Sequence, residues 1–293
     1  MVRIGADVGG TKVAIGLVDE SNSIISEIVR FPVKQFQDGD GLVSQMVIEA
    51  KALLNAEGFT EQNVTGFGVG APGPMDLETG TIRNTPNTPI LVNYALRDSI
   101  REKSGFPTEL NNDANCFVLG EALAGEARHG EYVVGVTLGT GYGCGIVLNK
   151  QLHTGATGTA AEIAMCPYRD STLESHISGR GLSWAYKKRA GKEAEGKAIA
   201  RLAATGDEEA LGAFEEFGEH IGRSFAWFIN LLDPDYIVIG GSIAQNWDYF
   251  YPTLKATMDQ YINPNPKAHM KIVQSQLGES AAIIGAAGLI TST

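Results

Sequence analysis

Two glycine-rich turns, one in each half of the chain, carry residue types that suit phosphate binding. The first turn contains Asp7, Gly9, Gly10, Thr11 and Lys12, and the second contains Gly139, Thr140 and Gly141 and ends at Gly145. Glycine lets the backbone approach a ligand closely and point successive N–H groups at an anion. Each turn alone also fits a plain hairpin. Their repetition favours the phosphate role, because each glycine within a strand pair costs roughly 0.5–1 kcal/mol relative to alanine.

Neither turn matches the two commonest nucleotide motifs. A Walker A loop reads GxxxxGK[ST], and a dinucleotide-binding GxGxxG turn opens a helix, whereas both turns here run into a returning strand. Two phosphate turns that face one another across a central cleft are the arrangement of the two-lobed, actin-like ATPase (ribonuclease H-like) α/β fold, which we predict. Asp7 would orient Mg²⁺ there, through water, because Mg²⁺ keeps much of its hydration shell.

A polar cluster with the sequence Asn-Asn-Asp-Ala-Asn occupies residues 111–115, between the two turns. Taken alone, such a cluster also fits a solvated turn or a helix cap. Phosphoryl transfer to a sugar needs a carboxylate within hydrogen-bond reach of the attacking hydroxyl, and an amide beside it to fix the ring. The position of the cluster, between the two phosphate turns, favours this functional role over a solvated turn.

Hydropathy patterns predict the elements that position these residues. Apolar residues alternate from Val2 to Phe31, which predicts antiparallel strands, and helical spacing follows before a strand at residues 64–70. The strand–turn–strand pattern recurs at residues 133–152, and a long buried helix ends before Pro234. We predict a smaller lobe over residues 1–112, with a C-terminal helix at about 283–293 packing back on it, and a larger lobe over 113–282, with a hinge near 110–130.

Composition excludes several classes of function. The 293 residues include 34 acidic and 23 basic side chains, and the resulting net charge of -11 disfavours nucleic acids and anionic lipids as main partners. No apolar run reaches the ~18 residues that a membrane helix needs. The three cysteines, Cys116, Cys144 and Cys166, show no CxxC spacing, and the first strand begins at Val2 without a signal-like segment. We therefore expect a cytoplasmic protein.

The motifs occur in an order that resembles the ROK family of bacterial sugar kinases and glucokinases over nearly the whole chain. Besides the three clusters, the matching pieces are Ala71-Pro72-Gly73-Pro74, Thr85-Pro86-Asn87, Ala161-Glu162-Ile163, Leu173-Glu174, Ser178-Gly179 and Asp233-Pro234 leading to Gly240-Gly241. The resemblance implies ATP-dependent phosphorylation of a hexose hydroxyl, by family frequency the 6-hydroxyl of glucose or a related sugar. It also implies Mg²⁺, with Asp113 as the catalytic base.

The predicted site residues form two groups. The resemblance implies that Gly73, Asn87, Asn112, Asp113, Glu162 and Glu174 contact the sugar. We assign the nucleotide and its phosphates to Asp7, Gly9, Gly10, Thr11, Lys12, Gly139, Thr140, Gly141, Gly240, Gly241 and Ser242. The expected partners are thus a small sugar and ATP, with a homodimer as a further expectation.

One segment departs from the family pattern. Many ROK proteins hold a structural zinc with a histidine after the glutamate that matches Glu162 and with a following CxCGxxGC segment. Here Met165 replaces the histidine, Thr172 stands at the last cysteine, and Cys166 is a lone thiol. Because a structural zinc site needs four ligands, we predict no zinc.

Without zinc, Tyr168, Arg169 and Asp170 would order this loop through packing and polar contacts. The family's histidine also lies near the sugar, so its replacement leaves the identity of the sugar open. An amino sugar or fructose is an alternative substrate, and polyphosphate is an alternative, less favoured donor.

Two alternatives belong to other classes of function. The ROK family includes sugar-responsive transcription repressors with an N-terminal helix-turn-helix, but here the first strand already begins at Val2. A catalytically idle sugar-binding module is disfavoured because both Asp7 and Asp113 are present.

Overall fold

The computed structural model describes residues 1–85 and 87–291. Its first elements are β1 (Val2–Val8), β2 (Lys12–Val18), β3 (Val29–Pro32), α1 (Gly39–Ala56), β4 (Val64–Ala71), β5 (Met75–Asp76), β6 (Thr81–Ile82), α2 (Leu96–Ser104), β7 (Thr108–Asn112) and α3 (Asp113–Leu123). The strands and the helix that the alternating and helical patterns predict in this part are present. Pro86 of the Thr85-Pro86-Asn87 motif lies outside the described residues.

The remaining elements begin with the second strand–turn–strand. They are β8 (Tyr132–Leu138), β9 (Tyr142–Leu148), β10 (Gln151–Leu152), β11 (Pro167–Tyr168), β12 (Ser171–Thr172), α4 (Glu174–Ile177), α5 (Gly179–Ala190), α6 (Gly196–Ala204), α7 (Glu208–Leu232), β13 (Tyr236–Gly240), α8 (Trp247–Met258), α9 (Pro264–His269), β14 (Lys271–Gln274) and α10 (Glu279–Gly288). Helix α7 ends where predicted, because Asp233 adopts a left-handed conformation and Pro234 cannot continue the helix.

Contacts divide the chain into two compact units. The first unit comprises residues 1–129, 145–161 and 276–293, and the second comprises residues 130–144 and 162–275. Helix α3 thus packs with the first unit, whereas the sequence-based boundary assigns it to the larger lobe. The predicted boundary between residues 112 and 113 separates two lobes that would move as bodies, which packing alone does not define. It stays a prediction.

The first unit is built on a five-stranded sheet with the order β3-β2-β1-β4-β7. Strand β1 pairs antiparallel with β2 and parallel with β4, and β4 pairs parallel with β7. Apolar side chains of these strands and of α1 form one buried core, which includes Ile4, Ile15, Leu42 and Phe67. The parallel strands β1, β4 and β7 therefore end at the same edge, which brings Asp7, Ala71 and Asn112 to that edge.

Helix α10 closes the first unit. It packs against α3 and β1, with Ile283 fully buried. The helix begins at Glu279, four residues before the predicted start at about 283, because the small residues after Gly278 show no clear apolar period. Residues 292 and 293 of the predicted helix lie outside the described residues.

The second unit is built on parallel strands β8, β13 and β14. Strand β13 pairs with β8 on one side and with β14 on the other, and β9 neighbours β8 in the same sheet. The chain passes from the second unit to the first within β9. Helices α7 and α8 pack together through Phe217 and Phe250, whose rings meet edge to face at 5.9 Å. Among the described residues, no helix combines the length and the apolar character needed to cross a membrane.

Candidate active site

The first glycine-rich turn joins β1 to β2. The N–H of Gly9 donates to the carbonyl of Lys12 at 2.9 Å, which closes the turn. Gly10 lies against Asn87: a Cβ at position 10 would stand only 2.8 Å from the Cβ of Asn87. Only glycine fits this approach without a shift. The structure therefore brings together two residues that the sequence assigns to different ligands, Gly10 to the nucleotide and Asn87 to the sugar.

Lys12, at the start of β2, is held by a partner that sequence reasoning missed. Its ammonium group forms an ion pair with the Oε1 of Glu279, at the start of α10. The Nε of Arg30, on β3, donates to the other oxygen of Glu279 at 2.7 Å. One carboxylate thus gathers two cations beside the first turn. No local signal predicts the contact, because Lys12 and Glu279 are 267 residues apart in the sequence.

Asp7 lies near the end of β1 with a perturbed ionisation. Burial, together with the negative charges of Asp113 and Glu279, raises its pKa to about 7, against the lowering effect of Lys12. A carboxyl group with this pKa carries a proton in part of the molecules at neutral pH. A cation placed beside it would favour its ionised form.

Asn112 and Asp113 stand where β7 runs into α3. Asn112 is the N-cap of α3, and its Oδ1 accepts from the N–H of Ala114 at 2.9 Å. The Oδ1 of Asp113 accepts from the same N–H at 2.8 Å. Burial raises the pKa of Asp113, against the lowering effect of hydrogen bonds from the backbone N–H groups of Ala114 and of Asp113 itself.

Several predicted residues therefore meet at one edge of the first sheet. Gly73 lies against the side-chain amide of Asn112, since a Cβ at position 73 would stand 3.2 Å from Nδ2. Asp7 and Asp113 are close enough for the charge of one to raise the pKa of the other. The cluster that alone could be a solvated turn is thus both a helix cap and part of a group of partly buried carboxylates.

The second glycine-rich turn, between β8 and β9, is held from the α4–α5 corner. The N–H of Gly179, the first residue of α5, donates to the carbonyl of Gly139 at 2.8 Å. The N–H of Tyr142 donates to the Oε2 of Glu174 at 3.0 Å. Glu174 also forms an ion pair with Arg180. Glu174, which the resemblance assigns to the sugar, therefore supports the turn directly.

A cavity of about 820 Å³ opens beside this turn, within the second unit. Its volume lies in the range of small-molecule sites. It is lined by Gly139, Thr140, Gly179, Arg180, Leu182, Ser183, Glu195, Gly196, Lys197, Ala200, Arg201, Ser242, Ile243, Gln245 and Asn246. Three of the predicted residues, Gly139, Thr140 and Ser242, thus share one cavity.

Basic side chains that the sequence motifs did not indicate also line the cavity. Arg180 on α5 and Lys197 and Arg201 on α6 line its wall. The two residues on α6 stand four apart, so they share one helix face. That spacing is a signal within the sequence, but it is common on solvated helices and does not by itself indicate a ligand. Of the other predicted residues, Gly240 ends β13 and Gly241 follows it, directly before Ser242, whereas Glu162 is exposed.

The loop that lacks the zinc motif is ordered by an aromatic cluster. The hydroxyl of Tyr168 lies 3.0 Å from the Nδ1 of His220, and Asp170 lies 3.3 Å from the Nε2 of His176. Arg169 stands over the ring of Tyr168 and 3.6 Å from Glu219. Within residues 1–85 and 87–291, no three His, Cys, Asp or Glu side chains are grouped to hold a metal ion. The absence of zinc stays a prediction.

Acid should loosen this cluster, because His220 is held neutral. Burial, together with the charges of Arg169 and His176, lowers its pKa from 6.5 to about 4, against the raising effects of Glu216 and Glu219. The unfolded chain then binds a proton that the folded chain does not, so stability is lost as pH falls from about 6.5 towards 4. With solvent screening allowed for, this difference lowers the free energy of unfolding by about 1 to 3 kcal/mol.

The measurement is the urea midpoint of unfolding at pH 7 and pH 4.5. We expect the urea midpoint of the wild type to fall between pH 7 and pH 4.5, and that of His220→Phe to fall less. The control His269→Gln changes an exposed histidine of α9, and its midpoint should fall as much as that of the wild type. An equal decrease in all three proteins would contradict the assignment.

Comparison with known proteins decides the family. The family model described as "ROK family" matches residues 3–293. A glucokinase of Thermotoga maritima is 32% identical over 311 aligned positions, covering 98% of this chain and 96% of the relative. The chain belongs to the ROK family. An N-acetyl-D-glucosamine kinase of Histophilus somni is 29% identical and covers 98% of both chains.

Solved structures agree on the fold of this ROK protein. A ROK family glucokinase from Streptomyces griseus, solved in complex with glucose and AMPPNP, superposes with a TM-score of 0.79 at 28% identity and covers 99% of both chains. The family and the two-lobed, actin-like α/β fold predicted from the sequence are therefore confirmed.

Proposed function

We propose that this ROK protein transfers the γ-phosphoryl group of Mg-ATP to a hydroxyl of a hexose, the 6-hydroxyl of glucose or a related sugar, with Asp113 as the general base. The observation that carries the proposal is the carboxylate pair Asp7 and Asp113, which lies at the edge of the first sheet beside a glycine-rich turn. Burial raises the pKa of both groups. A general base works best with a pKa near the operating pH, so a raised pKa suits Asp113.

The chain is an ATP-dependent sugar kinase of the ROK family. Its relatives indicate two candidate substrates, because the Thermotoga relative is a glucokinase and the Histophilus relative is an N-acetyl-D-glucosamine kinase. N-acetylglucosamine is therefore the second candidate substrate, in line with the amino-sugar alternative. The replacement of the family's histidine by Met165 leaves this choice to experiment.

The sugar would contact the edge that carries Asn112. The Oδ1 of Asn112 is engaged by the N–H of Ala114, whereas its Nδ2, beside Gly73, can donate to a sugar oxygen. Asn87 would contact the sugar from beside Gly10. Glu162 and Glu174 would accept hydrogen bonds from sugar hydroxyls. A carboxylate offers about four acceptor positions, so Glu174 can do this while it holds Tyr142.

The nucleotide would occupy the cavity of the second unit. Thr140, Gly141, Gly240, Gly241 and Ser242 would contact it there. Gly9, Thr11 and Lys12 of the first glycine-rich turn stay predicted phosphate ligands. The cations Arg180, Lys197 and Arg201 supply positive charge that a triphosphate needs in a chain of net charge -11.

Magnesium would arrive as part of the Mg-ATP substrate. Mg²⁺ is usually held by one or two carboxylates together with substrate phosphates and water, so a set of three protein ligands is not required. Asp7 fits this pattern, because it is a buried carboxylate near the negative charges of Asp113 and Glu279, which a cation would offset. The ion supplies charge stabilisation for the transferring phosphoryl group.

The proposal is tested by coupled ADP release at fixed Mg-ATP across glucose, mannose, fructose, N-acetylglucosamine and N-acetylmannosamine. We expect at least one hexose to raise ADP release about 100-fold or more over the rate without sugar, because closure over the sugar excludes water as an acceptor. A sugar-independent rate that no hexose changes would favour an ATPase switch instead. Replacing ATP by polyphosphate in the same assay tests the other donor.

Three narrower expectations stay predictions: the cytoplasmic location, a homodimer and the absence of DNA binding. A gel-shift experiment that shows tight, salt-tolerant and sequence-specific DNA binding would favour the repressor alternative.

A further inference from the structure

Tyr168 occupies the centre of a ring cluster in the second unit. Its side chain is buried and meets His176 of α4 edge to face, with ring centroids 5.2 Å apart. It meets His220 and Trp227 of α7 in the same way, at 5.6 and 5.9 Å. His176 also packs on Trp184 of α5. One tyrosine therefore ties the β11–β12 hairpin to α4 and α7.

In the hydrogen bond between Tyr168 and His220, the tyrosine hydroxyl is the donor and the imidazole nitrogen is the acceptor. Glu216 lies 4.0 Å from the Nε2 of His220, which favours a proton on Nε2 and leaves Nδ1 as the acceptor. Burial also raises the pKa of Tyr168, so its hydroxyl keeps the proton. The tyrosine hydroxyl thus donates to Nδ1 within a buried cluster, where an unmade hydrogen bond is costly.

The hairpin leads directly to the carboxylate that holds the second glycine-rich turn. After the hairpin, the N–H of Leu173 donates to the carbonyl of Cys166 and the N–H of Glu174 donates to the carbonyl of Ala164, both at 2.9 Å. Helix α4 begins at Glu174, whose Oε2 accepts from Tyr142. The segment before Tyr168 therefore holds the start of α4 through two backbone hydrogen bonds.

Helix α5 supports the same glycine-rich turn through a second set of contacts. Helix α5 starts tightly on α4, because a Cβ at Gly181 would stand 2.4 Å from the backbone carbonyl carbon of His176. Two residues earlier, Gly179 donates to the carbonyl of Gly139. A displacement of His176 would thus move both supports of the turn.

We propose that Tyr168 is a positioning residue, which through His176 and His220 holds α4 and the start of α5 so that the turn at residues 139–141 accepts the donor phosphates. The proposal rests on the proposed function for the identity of the ligand alone. The structural claim, that Tyr168 orders the turn, rests on the contacts within the second unit.

The test compares Tyr168→Phe, which removes only the hydroxyl, with Tyr168→Ala, which also removes the ring. The matched control is Tyr236→Phe, at the start of β13 in the same unit. The hydroxyl of Tyr236 lies 3.4 Å from the Nζ of Lys271. Hydrogen–deuterium exchange is measured at residues 139–145 and, as an internal reference, at α8 (Trp247–Met258). Steady-state kinetics give kcat and the KM for ATP.

We expect Tyr168→Ala to speed exchange at residues 139–145 but not in α8, and to lower kcat/KM for ATP about tenfold, mainly through KM. Tyr168→Phe should lower kcat/KM about fivefold, and Tyr236→Phe should change neither readout. Exchange and KM within twofold of the wild type in both Tyr168 variants would overturn the proposal. If Tyr168→Ala does not fold, Tyr168→Phe decides by the same criteria.

Failure of the proposed function gives a different result. A wild type that releases no ADP with any hexose would refute the kinase activity, whereas the exchange comparison would still decide whether Tyr168 orders the turn.

Discussion

Replacing Asp113 by asparagine is expected to lower kcat by about 100- to 10,000-fold while the fold is kept. The side chain keeps its shape but can no longer take a proton from the attacking hydroxyl. A positioned general base contributes a factor of this size, which corresponds to about 3 to 5 kcal/mol of transition-state stabilisation. The amide can still accept from the N–H of Ala114, so α3 keeps its first turn.

The measurement is kcat at saturating ATP and sugar, with the urea midpoint as a check of folding. Asp248→Asn is the matched control, because Asp248 is an exposed carboxylate in the first turn of α8. It should keep the activity of the wild type. Near-normal sugar phosphorylation by purified Asp113→Asn would refute the assignment of the base.

Replacing Asp7 by asparagine is expected to lower kcat/KM for Mg-ATP by roughly 100- to 1,000-fold, the usual effect of removing one group that stabilises charge in the transition state. It should also remove a pH dependence. Burial, together with nearby negative charges, raises the pKa of Asp7 to about 7. Under the proposed function, the metal–nucleotide complex would bind the ionised form. The kcat/KM should therefore fall about tenfold per pH unit below 7, and binding should release a proton.

The sign of the stability effect follows from the same shift. The folded-state pKa of Asp7 lies above the ordinary value of 3.8, so its contribution to stability is present below about pH 4 and is lost as pH rises through 7. Glu279→Gln is the informative companion variant, because it removes one of the charges that raise the pKa of Asp7. Its kcat/KM profile should shift to lower pH. Identical profiles for the wild type, Glu279→Gln and Asp7→Asn would contradict this account.

Much of the fold follows from local patterns in the sequence. The alternation from Val2 to Phe31 and the stop at Pro234 fix strands β1 to β3 and the end of α7, since both signals act within a few residues. The sequence pattern predicts the start of α10 at about residue 283, four residues after its position in the structure. The residues Ser280, Ala281 and Ala282 carry little apolar signal, although Ala281 is fully buried.

The candidate site likewise combines residues that local motifs reveal with residues that only packing brings together. Glycine-rich turns and the cluster at residues 111–115 are continuous motifs, so the sequence reveals them. The pairing of Lys12 with Glu279 joins positions 267 residues apart, and only the packing of α10 in the first unit creates it. Arg180, Lys197 and Arg201 stand on ordinary helices, and the cavity that gives them a role exists only after α5 and α6 have packed.

The most direct test of the central claim is a crystal structure of the protein with a hexose that it phosphorylates and a non-hydrolysable ATP analogue. We predict a carboxylate oxygen of Asp113 within about 3.2 Å of the hydroxyl that faces the γ-phosphate. A complex in which Asp113 points away from every sugar hydroxyl, with another side chain at the attacking oxygen, would contradict the account.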